Sequence, residues 1–167
     1  MSADVGDTSE RASTDGGIEL CPFWNEFLLF SPDPAALFLD EFRRLANHME
    51  WSKKKKREYL VKALNAEIDF YGDESIGLVR WQRLCQELGI GSEPESNELK
   101  SITKCKKALK PRFVNLYSLV DHHRNPDVAV RCFDSFKELV HDVGKTGSFP
   151  RECAKKEGYM KILLKRM

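Results

Sequence analysis

The tripeptide Gly144-Lys145-Thr146 matches the end of a phosphate-binding loop, in which backbone amides and a lysine hold phosphate oxygens. The full motif also requires a glycine five residues before Gly144, and Leu139 stands there. It further requires a preceding strand, whereas the residues before Gly144 have the apolar periodicity of a helix. We therefore predict a surface turn at this position rather than a nucleotide site.

Histidines and cysteines are the side chains of this sequence that most readily bind metals. His122 and His123 lie between Cys105 and Cys132, but structural zinc sites use short paired spacings. Neighbouring residues on a helix face different directions, so the two histidines do not form a ligand pair. No histidine stands beside a recognisable nucleophile motif. The sequence predicts no metal, no cofactor and no catalytic residue, and an enzyme with a distributed site is the third hypothesis.

Five consecutive cations follow Ser52 and form the first basic cluster. If Ser52 caps a helix, these charges crowd the positive end of the helix dipole, which is unfavourable. Nearby acidic residues or an external anion would offset that repulsion. The alternatives are a solvated surface, a nuclear import signal, and a contact with an anion or nucleic acid. The residues are Lys53, Lys54, Lys55, Lys56 and Arg57.

A second basic cluster lies near the middle of the chain. Three of its lysines are spaced at i, i+4 and i+7, which places them along one side of a helix. Neither an aromatic stacking platform nor a helix-turn-helix signature accompanies these charges, so sequence-specific nucleic-acid recognition is weakly supported. The members of the second basic cluster are Lys100, Lys104, Lys107, Lys110 and Arg112.

Four aromatic residues lie within eight positions near the N-terminus. Their rings are costly to leave in water, so they either fold back on the core or insert into a groove of a partner. Folding back is the favoured interpretation, and the segment is also the first candidate contact with another protein. The four residues are Phe23, Trp24, Phe27 and Phe30.

Composition is that of a globular protein, with 41% hydrophobic and 32% charged residues in 167 positions. The net charge of +1 conceals a gradient, because residues 1–40 are acidic and residues 100–167 are strongly basic. No stretch is long and apolar enough to span a membrane, and the acidic N-terminus does not resemble a signal peptide. Five widely spaced cysteines without a C-x-x-C motif predict reduced thiols in the cytoplasm or nucleus.

Apolar residues recur with helical periodicity along the chain after residue 18. Capping residues, prolines and glycines predict where each helix begins and ends. The predicted helices are about 35–49 after an Asp33 cap, a second from Ser52 to Gly72, a third after Asp73 or Ser75 that ends at Gly89, a fourth that carries Leu99 and Leu109, a fifth from Leu116 to about Arg124 capped by Asn115, a sixth from a Ser135 capping box to Gly144, and a last region after Phe149-Pro150.

These elements predict an all-α fold, a compact bundle of about six or seven helices over residues 19–167, after a disordered acidic tail at 1–18. The alternative is a subdivision at the 91–97 loop. Residues 128–133 alternate like a short strand but lack a partner of comparable quality, so we predict an extended connector. The predicted inward-facing residues include Phe42, Leu64, Val79, Leu109, Phe136, Leu139 and Val140.

Several ordered blocks carry a family resemblance. They are Glu41-Phe42-x-Arg44-Leu45-Ala46, the segment from Trp81 to Ile90, the segment from Ser101 to Leu109, and the pattern from Thr146 to Lys156. Over roughly residues 23–167 the chain resembles a group of uncharacterised proteins from filamentous (ascomycete) fungi. The resemblance implies a fungal, intracellular, helical protein, and it carries over no catalytic residue.

The sequence favours a non-enzymatic interaction protein whose partner is another protein. The aromatic segment and the basic rear of the chain are the predicted contacts. The second hypothesis is a nucleic-acid-associated protein that uses both basic clusters, with binding that weakens steeply as salt rises. No membrane partner is predicted, and the sequence leaves the oligomeric state open.

Overall fold

The computed structural model describes residues 19–72, 77–91, 97–156 and 158–164. The predicted tail at 1–18, the predicted cap at Asp73 or Ser75, and most of the 91–97 loop lie outside these residues.

The all-α prediction is confirmed, because eight α-helices dominate the described chain. In order, the elements are a 3₁₀ helix Pro22–Glu26, α1 Phe38–His48, α2 Lys53–Tyr71, α3 Leu78–Glu87, a 3₁₀ turn Asn97–Leu99, α4 Ile102–Leu109, β1 Phe113–Val114, α5 Leu116–Arg124, β2 Cys132–Phe133, α6 Phe136–Thr146, α7 Arg151–Lys156 and α8 Gly158–Leu163.

Three predicted helix caps are confirmed. The Ser52 hydroxyl accepts a hydrogen bond from the backbone N–H of Lys55, and the Asn115 side chain accepts one from the N–H of Tyr117. Ser135 caps α6 in the same way. Each cap satisfies a backbone donor that a helix start would otherwise leave without a partner. These local interactions begin α2, α5 and α6 where the sequence predicts them.

The start of α1 differs from the prediction. Asp33 accepts a hydrogen bond from Ala35 N–H at 2.9 Å, which closes a turn, and the helix begins only at Phe38. The acceptor for the first helical N–H is instead Asp121 of α5, whose Oδ1 lies 2.7 Å from Phe38 N. A carboxylate distant in sequence therefore replaces the local cap, and this contact ties α1 to α5.

One apolar core runs through the described residues from Cys21 to Leu163. The predicted inward residues Phe42, Leu64, Leu109 and Leu139 are all at most 5% exposed. The predictions for Val79, Phe136 and Val140 are wrong, because each is more than one-third exposed. Their helices bury a narrower stripe than the sequence indicates. All five cysteines are free thiols, and Cys132 alone among them is exposed.

A short antiparallel ribbon corrects the predicted extended connector. β2 pairs with β1, so that Phe113 lies opposite Phe133 and Val114 lies opposite Cys132. The partner was missed because β1 has only two residues, which is too short to be recognised as a strand from the sequence. Phe113 and Phe133 project from the same face of the ribbon, because residues directly opposite each other share a face.

The last part of the chain also departs from the prediction. α6 continues through Gly144 to Thr146 and ends at Gly147, whose φ of 98° suits a glycine. The Gly144-Lys145-Thr146 tripeptide is therefore the last turn of a helix and not a surface turn. The final helical region forms two short helices, α7 and α8. No helix in the described part of the chain is long and apolar enough to cross a membrane.

Candidate functional site

The aromatic segment folds back on the core, as the favoured interpretation predicts. The rings of Phe23, Trp24 and Phe30 are buried, and Phe27 is half-buried. Trp24 stacks on Phe30 with ring centroids 6.3 Å apart, and it makes a T-shaped contact with Phe38 of α1. Three of the four predicted contact rings are therefore part of the interior and are not offered to a partner in this conformation.

A buried polar cluster holds this segment in place. Trp24 Nε1 donates a 2.6 Å hydrogen bond to Glu67 Oε1, and Arg124 Nε lies 3.4 Å from the other oxygen of that carboxylate. Arg124 also donates to the carbonyl of Ala36 at 3.0 Å. Burial raises the pKa of Glu67, and Arg124 and the indole N–H act against that rise. The cluster joins the aromatic segment to both α2 and α5.

The aromatic segment nevertheless exposes two side chains that sequence reasoning missed. Leu28 is 95% exposed and Leu29 is 90% exposed. They occupy a turn between Phe27 and Phe30, whose rings both face the molecule. The spacing is the signal that could have found them, since two inward rings three positions apart leave the residues between them outside. We call Leu28 and Leu29 the leucine tip.

The first basic cluster lies on the first turns of α2. Four of its side chains are exposed, and Lys56 is half-buried, with its Nζ 3.3 Å from the side-chain oxygen of Asn47. Lys55 Nζ lies 5.6 Å from the centre of the Tyr59 ring. Arg57 lines a surface cavity of about 540 Å³ together with Phe149 and Arg151. The cluster therefore faces solvent, and one of its members, Lys55, lies beside the ring of Tyr59.

The second basic cluster forms part of a larger groove of about 740 Å³. All five members of the cluster are exposed, and three of them line the groove: Lys104, Lys107 and Arg112. Ser101 caps α4, and Lys104 Nζ donates a 2.8 Å hydrogen bond to the carbonyl of Asn97. These contacts fix the helix that presents the lysines.

Two phenylalanines line the same basic groove. Phe113 and Phe133 are direct partners across the ribbon, so they face the groove together, and both are half-buried. We call them the phenylalanine pair. Sequence reasoning found no aromatic platform near the second basic cluster, because Phe133 lies 20 residues beyond Phe113 and joins it only through strand pairing. The groove therefore combines cations with aromatic surface.

The remaining lining residues are apolar or acidic, apart from the amide Asn97. Ile90, Ala108 and Pro111 add apolar surface, and Glu98 and Asp134 add two carboxylates. The described residues that line the groove include no serine, threonine, cysteine or histidine. The arrangement therefore offers positive charge and apolar surface to a ligand that carries both negative charge and apolar groups.

The histidines predicted to be without a joint role have separate partners. His122 Nδ1 lies 2.7 Å from the carbonyl of Val128, whereas His123 Nε2 lies 3.0 Å from a carboxylate oxygen of Glu87. Within the described residues, no group of three histidine, cysteine, aspartate or glutamate side chains has the geometry of a metal site. Each histidine instead links two neighbouring segments of the fold.

The basic groove and the surface made by the first basic cluster with the leucine tip are separate, because none of these cluster residues lines the groove. The resemblance to fungal proteins stays a prediction. Comparisons with known protein families, with curated proteins and with solved structures find no significant match to this chain.

Proposed function

We propose that this is a non-enzymatic interaction protein whose basic groove binds an acidic segment of another protein. The observation that carries the proposal is the placement of Lys104, Lys107 and Arg112 around the phenylalanine pair. Carboxylates of a bound segment would pair with the three cations, and its aliphatic or aromatic side chains would cover the two rings. The five free thiols support a reducing compartment, the cytoplasm or the nucleus.

A peptide fits this groove better than a nucleic-acid backbone. Glu98 and Asp134 line it together with the cations, and they would repel a chain that carries a phosphate at every step. A peptide can place its carboxylates against the lysines and leave uncharged residues beside those two acids. The volume is also within the range of ligand pockets and would hold only a few side chains.

Single-stranded nucleic acid is the second candidate, and one observation favours it. The phenylalanine pair lies beside three cations, and aromatic rings flanked by lysines and arginines stack unpaired bases without sequence preference. This candidate requires ring faces on which bases can stack, whereas the side chains of a peptide can cover either the faces or the edges of the two rings.

The test begins with a phage-displayed library of short random peptides selected on the wild-type protein. We expect enrichment of aspartate and glutamate interspersed with leucine or aromatic residues. A fluorescent copy of an enriched peptide is then titrated by anisotropy. Lys104→Glu/Lys107→Glu should weaken binding by about tenfold or more, because both reversed charges would repel the peptide.

Lys53→Glu/Lys54→Glu is the matched control, since it makes the same change of net charge on the first basic cluster. If the two double variants weaken peptide binding equally, only overall charge matters and the groove proposal fails. A labelled deoxythymidine oligomer separates the two candidates. Tighter binding of this oligomer than of any selected peptide, lost in Phe133→Ala, would establish the nucleic-acid function instead.

A further inference from the structure

The leucine tip is held outside the molecule by its own backbone. Phe30 N–H donates a 2.9 Å hydrogen bond to the carbonyl of Phe27, which closes the turn around Leu28 and Leu29. The tip is therefore a defined projection. Two adjacent leucines that are almost fully exposed are unusual, because isolated exposed leucines are common but a projecting pair leaves a continuous apolar surface in water.

The rings on both sides of the tip are packed against α1 and α2. The Phe27 ring lies 5.6 Å from the Trp51 ring and 6.1 Å from the Tyr59 ring. The Phe30 ring lies 5.8 Å from the His48 ring. These contacts place the tip beside the junction of the two helices, where the first basic cluster begins.

Cations surround the aromatic layer that supports the tip. The Arg44 guanidinium lies 4.3 Å from the centre of the Phe30 ring. Lys55 Nζ and Lys62 Nζ lie 5.6 and 5.5 Å from the centre of the Tyr59 ring. The remaining members of the first basic cluster continue this positive surface along the start of α2.

The acidic residues facing this surface compensate only part of its charge. Glu26 pairs with Lys62 at 2.7 Å, and Glu41 pairs with Arg44. Residues 50–58 contain only two acidic residues, Glu50 and Glu58, compared with the five cations of the first basic cluster. Ser52 does cap α2, so these five charges lie at the positive end of a helix dipole. An external anionic surface would relieve the repulsion that this placement creates.

We propose that the leucine tip and the first basic cluster together form a contact surface for an anionic lipid bilayer. The leucines would enter the boundary between headgroups and acyl chains, and the lysines would bind the lipid phosphates and carboxylates. This function is independent of the basic groove. The expectation of no membrane partner depended on the lack of a long apolar segment, and a peripheral contact needs none.

A bilayer fits this surface better than a protein groove does. The apolar groups project from a convex turn, and a fluid lipid surface accepts such a projection without a matched pocket. The cations belong to flexible lysines spread along the start of a helix, and an anionic bilayer offers negative charge over a wide area. A protein partner would need a deep apolar slot with acidic walls at the right spacing.

The test uses the full chain and sedimentation with large vesicles. We expect binding to phosphatidylcholine vesicles that contain about 30% phosphatidylserine, and little binding to pure phosphatidylcholine. Leu28→Ser/Leu29→Ser and Lys53→Glu/Lys54→Glu should each lower the partition coefficient by about tenfold or more. The matched controls are Val79→Ser/Val140→Ser, which removes two other exposed apolar side chains, and Lys104→Glu/Lys107→Glu.

A second variant reads insertion directly. In Leu28→Trp, the new indole should shift its emission to shorter wavelength when phosphatidylserine vesicles are added, because it leaves water. The proposal is overturned if wild type does not bind these vesicles, if Leu28→Ser/Leu29→Ser binds as wild type does, or if the Leu28→Trp emission does not move. Loss of a protein partner in the leucine variant, without vesicle binding by wild type, would assign the tip to a protein instead.

Discussion

The two basic surfaces of this molecule both place cations beside apolar side chains, but the apolar side chains are exposed on one surface and half-buried in the other. At the leucine tip, both leucines are at least 90% exposed, and cations lie beside the rings that support them. In the basic groove, the phenylalanine pair is half-buried and lies beside the lysines that line the cavity. The comparison teaches that lysines beside apolar residues do not by themselves identify a partner. We infer that exposed, projecting apolar groups suit a lipid bilayer, whereas recessed apolar groups suit a bound peptide.

The two surfaces also differ in how they are assembled. The leucine tip is made of neighbouring residues, and the first basic cluster is one uninterrupted run. The basic groove draws on residues from Ile90 to Asp134, which belong to α4, both strands and the segments around them. The tip depends on the core beneath it, whereas the groove depends on the pairing of β1 with β2.

We expect the largest change in stability when the buried polar cluster that supports the leucine tip is disrupted. Glu67→Ala would remove the acceptor of Trp24 and leave Arg124 as a buried charge without its partner. We expect a loss of about 3–5 kcal/mol in the free energy of unfolding, measured by urea denaturation. Glu58→Ala, on the exposed face of the same helix, should change it by less than about 0.5 kcal/mol. Equal losses in the two variants would show that the buried cluster does not anchor the segment.

A smaller loss of stability is expected when one ring of the phenylalanine pair is removed, and this change tests whether the pair belongs to the binding site. Phe133→Ala removes one ring of the phenylalanine pair, which should lower the free energy of unfolding by about 1–2 kcal/mol. We expect binding of the selected acidic peptide to fall by about tenfold or more, measured by anisotropy. Phe136→Ala is the control, because its ring packs 6.2 Å from the Phe113 ring but does not line the groove. Peptide binding that falls equally in both variants would remove the pair from the site.

The smallest expected effect separates binding from stability at the leucine tip. Leu28→Ser/Leu29→Ser removes two side chains that bury almost no surface within the chain. The free energy of unfolding, measured thermally and in urea, should therefore change by less than about 0.5 kcal/mol, although we expect vesicle binding to weaken. A destabilisation of about 2 kcal/mol or more would mean that the leucines are structural, and the contrast with the recessed phenylalanine pair would disappear.

Sequence reasoning succeeded where the deciding interaction is local. Ser52, Asn115 and Ser135 cap helices because each hydroxyl or amide reaches an N–H within three residues, whatever the rest of the fold does. Asp33 failed as a cap for α1 because the side chain of Asp121, distant in sequence, lies at the helix start. The residues around a predicted helix start do not show whether a side chain from elsewhere in the chain will act as the cap instead.

The same distinction applies to the candidate sites. The spacing of Lys100, Lys104 and Lys107 predicted a basic helical face, but only Lys104 and Lys107 of these line the groove. The aromatic segment was correctly predicted to fold back, because burial of rings is favourable in nearly any compact arrangement. The exposure of Leu28 and Leu29 was missed, since apolar composition alone indicates burial and does not show which residues a turn places outside.

Residue order by itself determined the helical class, the starts of α2, α5 and α6, most of the predicted core residues and the two concentrations of positive charge, because these depend on contacts within a few positions of the chain. Only the tertiary structure decided which lysines meet aromatic surface, which leucines meet solvent, and that Phe113 faces Phe133. Those outcomes depend on packing between segments far apart in sequence, where many arrangements bury similar apolar area and the balance among them is a property of the whole molecule.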